Sequence, residues 1–404
     1  MRLDGAATAG NEPDAVRAAL GKVMNAMSGS QEQVTGTFEP NGRAGGYLRK
    51  ASENYRVRPG AVAVASDLAR KLHLRGGETI VASVQKPAKK SNPALLNVDE
   101  IESIGGLPVD DYMDCKPFED LTAIDPESAV HFEIPDGSMS MRVVDLMTPI
   151  GLGQRGLIVA APRTGKTMIL QQMAAGVAHN HPDVYLMVLL INERPEEVTD
   201  MRRSVHGDVV ASSNDEDISS HVRIARLMID KARRLVEAGQ DVLILMDSLT
   251  RLGRAFNSAI RHSGRIMSGG LDIRALNEPK AIFGAARNVE HGGSLTIIAT
   301  ALIETGSRMD DVIFNEFKGT GNMEIVLTRD LANKRIWPAI DLGQSGTRKE
   351  ERLLSPEALA ASYKIRRNMV GQDTVRSMEM LLDAMGKFPR NAEFIAALAD
   401  RPAR

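Results

Sequence analysis

The sequence predicts a multidomain protein in which a small barrel of short β-strands precedes an α/β domain. Its 404 residues correspond to two or three domains. Between residues 34 and 110, short alternating or apolar runs are separated by Gly, Pro and Asn, as in small barrels. From about residue 127, continuous apolar runs alternate with helical patterns, which is typical of a parallel sheet covered by helices.

Composition excludes several classes of protein. Lys and Arg number 50 and Asp and Glu number 52, so the formal net charge of −2 excludes a histone-like polycation but allows a local basic channel. The single cysteine, Cys115, excludes an intramolecular disulfide and favours a reducing compartment. Neither a run of 18 apolar residues nor an N-terminal apolar signal region is present, so we expect a cytoplasmic protein without a membrane span.

The N-terminal third divides at about residue 34. Residues 1–33 are small and polar and are predicted to form a mobile arm, with an amphipathic helix at 14–27 and a linker at 28–33. The barrel is assigned to 34–118, and the α/β domain with its C-terminal helices to 119–404.

Shorter segments are predicted from the same patterns. In the barrel, 66–74 is predicted to be a short helix, 86–94 a basic loop, and 110–126 a connector. The predicted buried strands of the second domain are 156–160, 185–191, 242–246 and 294–302. Its clearest helices are predicted at 167–179 and 221–239.

The sequence AAPRTGKT at 160–167 predicts a phosphate-binding loop. It follows an apolar strand and opens a helix, so backbone N–H groups and the helix N-terminus can surround a phosphate. In such loops the lysine, here Lys166, reaches the β- and γ-phosphates, and the hydroxyl of Thr167 binds Mg²⁺. Ala160 replaces the usual first glycine. A chance GKT at a helix start is the weaker alternative.

Two acidic residues at strand ends complete a candidate site for hydrolysis of a nucleoside triphosphate. The apolar run VLILM ends at Asp247, where a carboxylate can hold the Mg²⁺ shell or simply cap a helix. Glu193 follows the apolar run YLMVLLI, and a carboxylate there can polarise the attacking water. The alternative is a solvated charge cluster that includes Glu196, Glu197 and Asp200. We favour Glu193 because it alone lies at the strand's edge.

Three arginines lie in loops that follow core elements. Arg265, within 261–272, and Arg308, within 305–311, stand among small residues in loops that can contact a phosphodiester backbone. These residues alone favour ordinary surface loops. Arg348, in SGTRKEE, has the position either of an arginine finger or of a simple surface arginine.

Several long blocks resemble the transcription termination factor Rho family. They include LLINERPEEVTDMRRSVHGDVVAS, LMDSLTRLGRAFN, FGAARNVEHGGSLTIIATALIETGSRMDD and PAIDLGQSGTRKEE. The resemblance is dense over 120–360 and looser over 34–118. It implies a small OB-like (cold-shock-like) β-barrel followed by an α/β RecA-like P-loop ATPase domain. It also implies a homohexamer that uses ATP and Mg²⁺, moves along single-stranded RNA, unwinds RNA–DNA hybrids and stops the RNA polymerase elongation complex.

The resemblance implies roles for residues of the ATP site. Lys166, Glu193, Arg194 and Arg348 are the catalytic candidates, with Arg194 near the γ-phosphate and Arg348 reaching a neighbouring subunit's ATP. Asn192 stands where an aspartate is common. The implied nucleotide-binding residues are Arg163, Thr164, Gly165, Lys166, Thr167, Met168, Asp247 and Trp337, of which Thr167 and Asp247 hold Mg²⁺ and Trp337 packs on adenine.

The RNA sites implied by the resemblance are less complete. The candidates for RNA binding are Tyr47, Arg49, Arg265 and Arg308. Arg308 stands in place of a lysine in one pore loop of the family. In the barrel, Tyr47 is a possible stacking residue, but Gly45 and Ala63 occupy the other two aromatic positions of the family pattern. We therefore expect a weak primary RNA site that depends on charge.

Two other classes of protein remain open at this point. A rotary-type or export ATPase shares the core and the ring, and a non-catalytic RNA-binding protein could retain a decayed ATPase domain. The family blocks and both pore loops favour the first interpretation over the rotary ATPase. The presence of Lys166, Glu193, Asp247 and Arg348 argues against the decayed domain.

Overall fold

The computed structural model describes residues 31–42, 45–59, 61–85, 100–260 and 266–399. The predicted helix at 14–27, the predicted loop at 86–94 and Arg265 lie outside these ranges. Within them, no helix is long and apolar enough to cross a membrane.

The N-terminal domain is a five-stranded antiparallel sheet in the order β3-β2-β1-β4-β5. Its strands are β1 Gln31–Pro40, β2 Gly46–Arg49, β3 Ala63–Val64, β4 Thr79–Gln85 and β5 Ile101–Ile104, with the helices α1 Ser66–Lys71 and α2 Val109–Met113. Its core contains Phe38, Leu48, Ile80, Ile104 and Tyr112, all buried. This small β domain with its own core agrees with the OB-like fold predicted from the sequence.

Two predicted boundaries in this domain differ from the structure. Residues 31–33 were assigned to a linker, but they extend β1, because they pair with residues 83–85 of β4. The helix predicted at 66–74 ends at Lys71, since His73 adopts a left-handed φ of 50° that a helix cannot continue.

The second domain is built on a nine-stranded, mostly parallel sheet. Along its main path the order is β11-β10-β12-β16-β9-β17-β18, with β15 and β6 paired beside β16. Its strands are β6 Ala123–Ile124, β9 Arg155–Ala160, β10 Tyr185–Glu193, β11 Asp208–Ser213, β12 Asp241–Asp247, β15 Arg287–Val289, β16 Ser294–Leu302, β17 Met323–Leu327 and β18 Gly346–Thr347. Two short ladders lie apart, β7 Ala129–Val130 with β8 Ile150–Gly151 and β13 Ile266–Met267 with β14 Leu271–Asp272.

Helices cover both faces of this sheet, so successive strand residues enter two different cores. Ile158 and Leu190 pack in one core, whereas Leu157 and Leu189 pack in the other. The helices are α3 Met139–Met147, α4 Lys166–Asn180, α5 Pro195–Ser204, α6 Ile218–Glu237, α7 Leu249–Ala259, α8 Asn277–Phe283, α9 Arg308–Lys318, α10 Arg329–Asn333, α11 Pro356–Met369, α12 Thr374–Met385 and α13 Asn391–Ala399. All four predicted buried strands are present, and the predicted α/β P-loop fold is confirmed.

The segment predicted as a connector at 110–126 fixes the two domains together. Tyr112 packs in the barrel core, and Phe118 packs in a core of the second domain. The buried carboxylate of Glu237 on α6 accepts a hydrogen bond from the backbone N–H of Phe118 at 2.6 Å and pairs with Arg75 of the barrel. Gly77 has a φ of 91° and lies so close to Asp230 of α6 that a Cβ would stand 2.3 Å from its carbonyl carbon.

Candidate functional site

The loop after β9 has the backbone of a phosphate-binding loop. Arg163 and Gly165 have left-handed φ values of 67° and 85°, which turn successive N–H groups toward one point. The hydroxyl of Thr164 donates to the carbonyl of Ala161 at 2.7 Å and closes the loop. Ala160 fits in place of glycine because it is the last residue of β9, where no positive φ is required.

Three predicted residues meet at the carboxyl edge of the sheet. Lys166 Nζ lies 2.5 Å from Asp247 Oδ1 and 3.2 Å from Glu193 Oε1. Both carboxylates are almost completely buried, and the Thr300 hydroxyl donates to Asp247 Oδ1 at 2.8 Å. The strands β10 and β12 are neighbours in the sheet, so their ends bring the two carboxylates together. The two carboxylates can hold a cation between them, and the ammonium group of Lys166 occupies that position here.

Glu193 has the environment of a general base. Asn192 has a φ of 56°, and the pairing of β10 with β11 shifts at this residue, so a bulge redirects the Glu193 side chain. Burial raises the pKa of Glu193 above its ordinary value, and the negative charge of Asp247 raises it further, against the opposing effect of Lys166.

Arg251 completes this cluster and was not predicted from the sequence. Its Nη1 lies 2.8 Å from Glu193 Oε2, and it also donates to the carbonyl of Asn192. Arg251 lies four residues after Asp247, in the first turn of α7, so its position along the sequence was the available signal.

The other predicted residues of the site lie in the loop, against it, or next to Glu193. Trp337 lies against it, because a Cβ on Gly165 would stand 2.7 Å from the indole ring and 3.4 Å from the end of Met168. Thr167 follows Lys166 in the first turn of α4 and is half-buried. Arg163 in the loop and Arg194 at the start of α5 are exposed.

Within one chain, Arg348 lies far from the cluster of Lys166, Glu193 and Asp247. Its backbone N–H donates to the carbonyl of Asn322 at 2.9 Å, beside the amino end of β17. Strands β9 and β17 are parallel, with Met323 opposite Gly156, so about 13 Å of strand length separates Arg348 from the loop after Ala160. The exposed Arg348 therefore lies at the amino ends of the parallel strands, whereas Lys166 lies at their carboxyl ends.

The two predicted pore loops contact one another in the described part of the chain. Gly269, with a φ of 79°, packs on the backbone of Met309 so closely that a Cβ would lie 2.7 Å from its nitrogen. Arg308 is exposed at the start of α9, and the first turn of this helix is fixed by Asp310, which pairs with Arg254 at 2.7 Å.

Arg49, which was predicted to bind RNA, is buried in the barrel. Its side chain is 7% exposed and its Nε donates to Glu39 at 2.7 Å, so the guanidinium cannot reach a phosphate without breaking a buried ion pair. The same carboxylate binds Arg223 of α6 at 2.7 Å. Tyr47 is half-buried, and the Arg49 guanidinium lies 5.0 Å from the centre of its ring.

The backbone explains one of the two aromatic residues that are missing from the barrel. Gly45 has a φ of 93°, and a Cβ there would lie 2.1 Å from the carbonyl oxygen of Val64, so no stacking side chain fits at this position. Ala63 lies directly opposite Tyr47 in the β2–β3 pair.

The fold and the cluster of Lys166, Glu193 and Asp247 define an ATP-hydrolysing enzyme of the RecA-like P-loop class. Residues 140–347 match the nucleotide-binding domain of the ATP synthase alpha/beta family, and residues 34–105 match the Rho termination factor RNA-binding domain. The chain is 48% identical to transcription termination factor Rho of Cereibacter sphaeroides over 87% of this chain and 84% of the relative. It is 46% identical to the Rho factor of Pseudomonas fluorescens biotype C over 93% and 90%, respectively. The chain belongs to the transcription termination factor Rho family.

Solved structures support the same fold. An ATPase from the type III secretion system of pathogenic bacteria superposes with a TM-score of 0.55 at 25% identity, over 63% of this chain and 72% of that one. The ATP synthase subunit NeqB from Nanoarchaeum equitans superposes with a TM-score of 0.54 at 19% identity, over 70% and 79%. These neighbours share the ATPase core, whereas the family of this chain is decided by the Rho relatives.

Proposed function

We propose that this chain terminates transcription as an ATP-driven RNA translocase and RNA–DNA helicase, acting on the RNA polymerase elongation complex in the cytoplasm. In this proposal six copies form a ring, ATP is hydrolysed at the interfaces between them, and single-stranded RNA occupies the central pore. One observation carries the proposal. Lys166, Glu193 and Asp247 meet at the carboxyl ends of the parallel strands, whereas Arg348 lies at their amino ends. A site that uses all four residues therefore needs two copies of the chain.

The ATP site suggests a role for each residue. ATP would draw Lys166 from the carboxylates to the β- and γ-phosphates, which frees Glu193 to accept a proton from the attacking water. Thr167 and Asp247 fit Mg²⁺, which would supply neutralising charge to the phosphates. In the described residues no group of three or more His, Cys, Asp or Glu side chains can hold a metal, which agrees with an ion that keeps waters and phosphate oxygens as ligands.

Arg308 provides the test of coupling to RNA. We expect Arg308→Ala to raise the RNA concentration needed for half-maximal ATPase stimulation about tenfold, because hydrogen bonds to charged groups contribute on the order of 1.5–3 kcal/mol. Nucleotide binding and hexamer formation should not change. The matched control is Arg367→Ala, an exposed arginine on α11. Undiminished stimulation in Arg308→Ala would reduce this loop to an ordinary surface loop.

A separate prediction concerns the barrel. With two of the three expected stacking residues absent, primary RNA binding should be weaker by about 2–6 kcal/mol than in a barrel with all three. We expect the full chain, without ATP, to bind oligo(C) and oligo(A) with similar affinity and marked salt dependence, measured as Kd at two salt concentrations. Tight, salt-insensitive binding selective for oligo(C) would contradict this.

A further inference from the structure

A turn of the barrel contacts the edge of the ATPase sheet through one amide oxygen. Asn54 follows β2 and has a left-handed φ of 55°. Its Oδ1 accepts a hydrogen bond from the backbone N–H of Ala211 at 2.9 Å and another from the guanidinium of Arg202. Ala211 belongs to the edge strand β11 and Arg202 to α5, so Asn54 joins the barrel to both elements.

Arg56, in the same turn, makes a second connection. Its Nη2 lies 2.8 Å from Glu216 Oε1. The other oxygen of Glu216 accepts hydrogen bonds from the hydroxyl of Ser212 at 3.1 Å and from that of Ser220 at 2.7 Å. Ser212 is completely buried and lies next to Ala211 in β11.

These two contacts lie beside the candidate base. Ala211 pairs with Leu190 and Ser212 with Ile191, which are the last two residues before the bulge that directs Glu193. Immediately after the bulge, the backbone N–H of Asn214 donates to the carbonyl of Glu193 at 3.1 Å. Helix α5, which Asn54 holds through Arg202, begins two residues after Glu193.

We propose that Asn54 and Arg56 are positioning residues through which the barrel holds Glu193 in its reactive orientation. This inference rests on the proposed role of Glu193 as the base. Neither side chain touches the phosphate loop, which follows β9 and is separated from β10 by β12 and β16. Loss of the turn's contacts therefore alters the chemical step and leaves the binding of ATP intact. The rate of hydrolysis then depends on the contacts that the barrel makes with the ATPase domain through Asn54 and Arg56.

Asn54 allows a test without backbone strain. Asn54→Gly removes the acceptor oxygen and tolerates the left-handed φ, whereas Asn54→Asp keeps an acceptor for both donors. We expect Asn54→Gly to lower kcat about ten- to a hundredfold at saturating RNA, with the Kd for ATP and the mass of the hexamer unchanged. Asn54→Asp should restore kcat to within about twofold of the unmodified protein.

Arg56→Ala should likewise lower kcat and leave the Kd for ATP unchanged. Its matched control is Arg58→Ala, because Arg58 is similarly exposed in the same turn but pairs with Glu53 of the barrel at 2.9 Å. An unchanged kcat in Asn54→Gly, an equal loss in Asn54→Asp, or a parallel loss of ATP binding would overturn the positioning role. If Glu193→Gln itself hydrolysed ATP normally, the proposed base would be wrong instead.

Discussion

Glu193→Gln should bind ATP with normal affinity and hydrolyse it at least about a hundredfold more slowly, since general bases typically contribute 10²- to 10⁴-fold. The amide keeps the shape of the side chain but cannot accept the proton of water. The raised pKa of Glu193, caused first by its burial and then by Asp247, makes it a stronger base than a solvated glutamate.

Lys166→Ala should also lower the rate of hydrolysis, but through the loss of a positive charge and not of a base. Its ammonium is the cation that lies between Glu193 and Asp247, so its removal leaves two buried carboxylates facing the phosphates. The loss of charge stabilisation should amount to several kcal/mol, about a hundredfold or more in rate. The control for both variants is Glu196→Gln, on the exposed first turn of α5. Normal turnover in Glu193→Gln would transfer the role of base to Glu196 or Glu197.

Arg348→Ala should also stop hydrolysis, because an arginine finger contributes about 10³- to 10⁵-fold in rate. The defect should appear in kcat, with ATP still bound by the loop of the same chain. The geometry gives a reason to assign the finger to a neighbour. Arg348 lies beside Asn322 at the amino edge of the sheet, and Lys166 follows the carboxyl edge.

Mixed rings test this sharing of the site directly. Neither Arg348→Ala nor Lys166→Ala subunits should hydrolyse ATP alone. Mixed together, some interfaces pair an intact phosphate loop with an intact finger, so part of the activity should return. Native mass measurements must show that mixed rings form. If no mixing ratio restored hydrolysis in confirmed mixed rings, Arg348 would not act on a neighbour's ATP.

The meeting of Lys166, Glu193 and Asp247 was predictable from the sequence because parallel strands end at the same side of a sheet. The apolar runs before Glu193 and Asp247 located the strand ends, and the loop at 160–167 located the phosphates. Apolar runs do not indicate which residue a long polar side chain contacts. Arg251 was missed for this reason, although it lies 2.8 Å from Glu193.

The barrel shows the same limit more clearly. The RNA site of the barrel was expected to depend on charge, but Arg49 is held by Glu39, ten residues earlier in the chain and on the neighbouring strand. Arg56 is held by Glu216, which lies 160 residues away. The first pair forms when β1 and β2 come together, and the second forms only when the barrel packs on the ATPase domain, so local sequence patterns did not indicate either partner.

Whether this chain is an RNA-dependent ATPase is tested by its rate of ATP hydrolysis, measured with and without single-stranded RNA. We expect hydrolysis to rise with RNA concentration and to reach a plateau, for poly(C) and for RNA of mixed sequence. An equal rate with and without RNA would indicate a rotary-type ATPase. No hydrolysis under either condition would indicate a decayed ATPase domain, and either result would contradict the account.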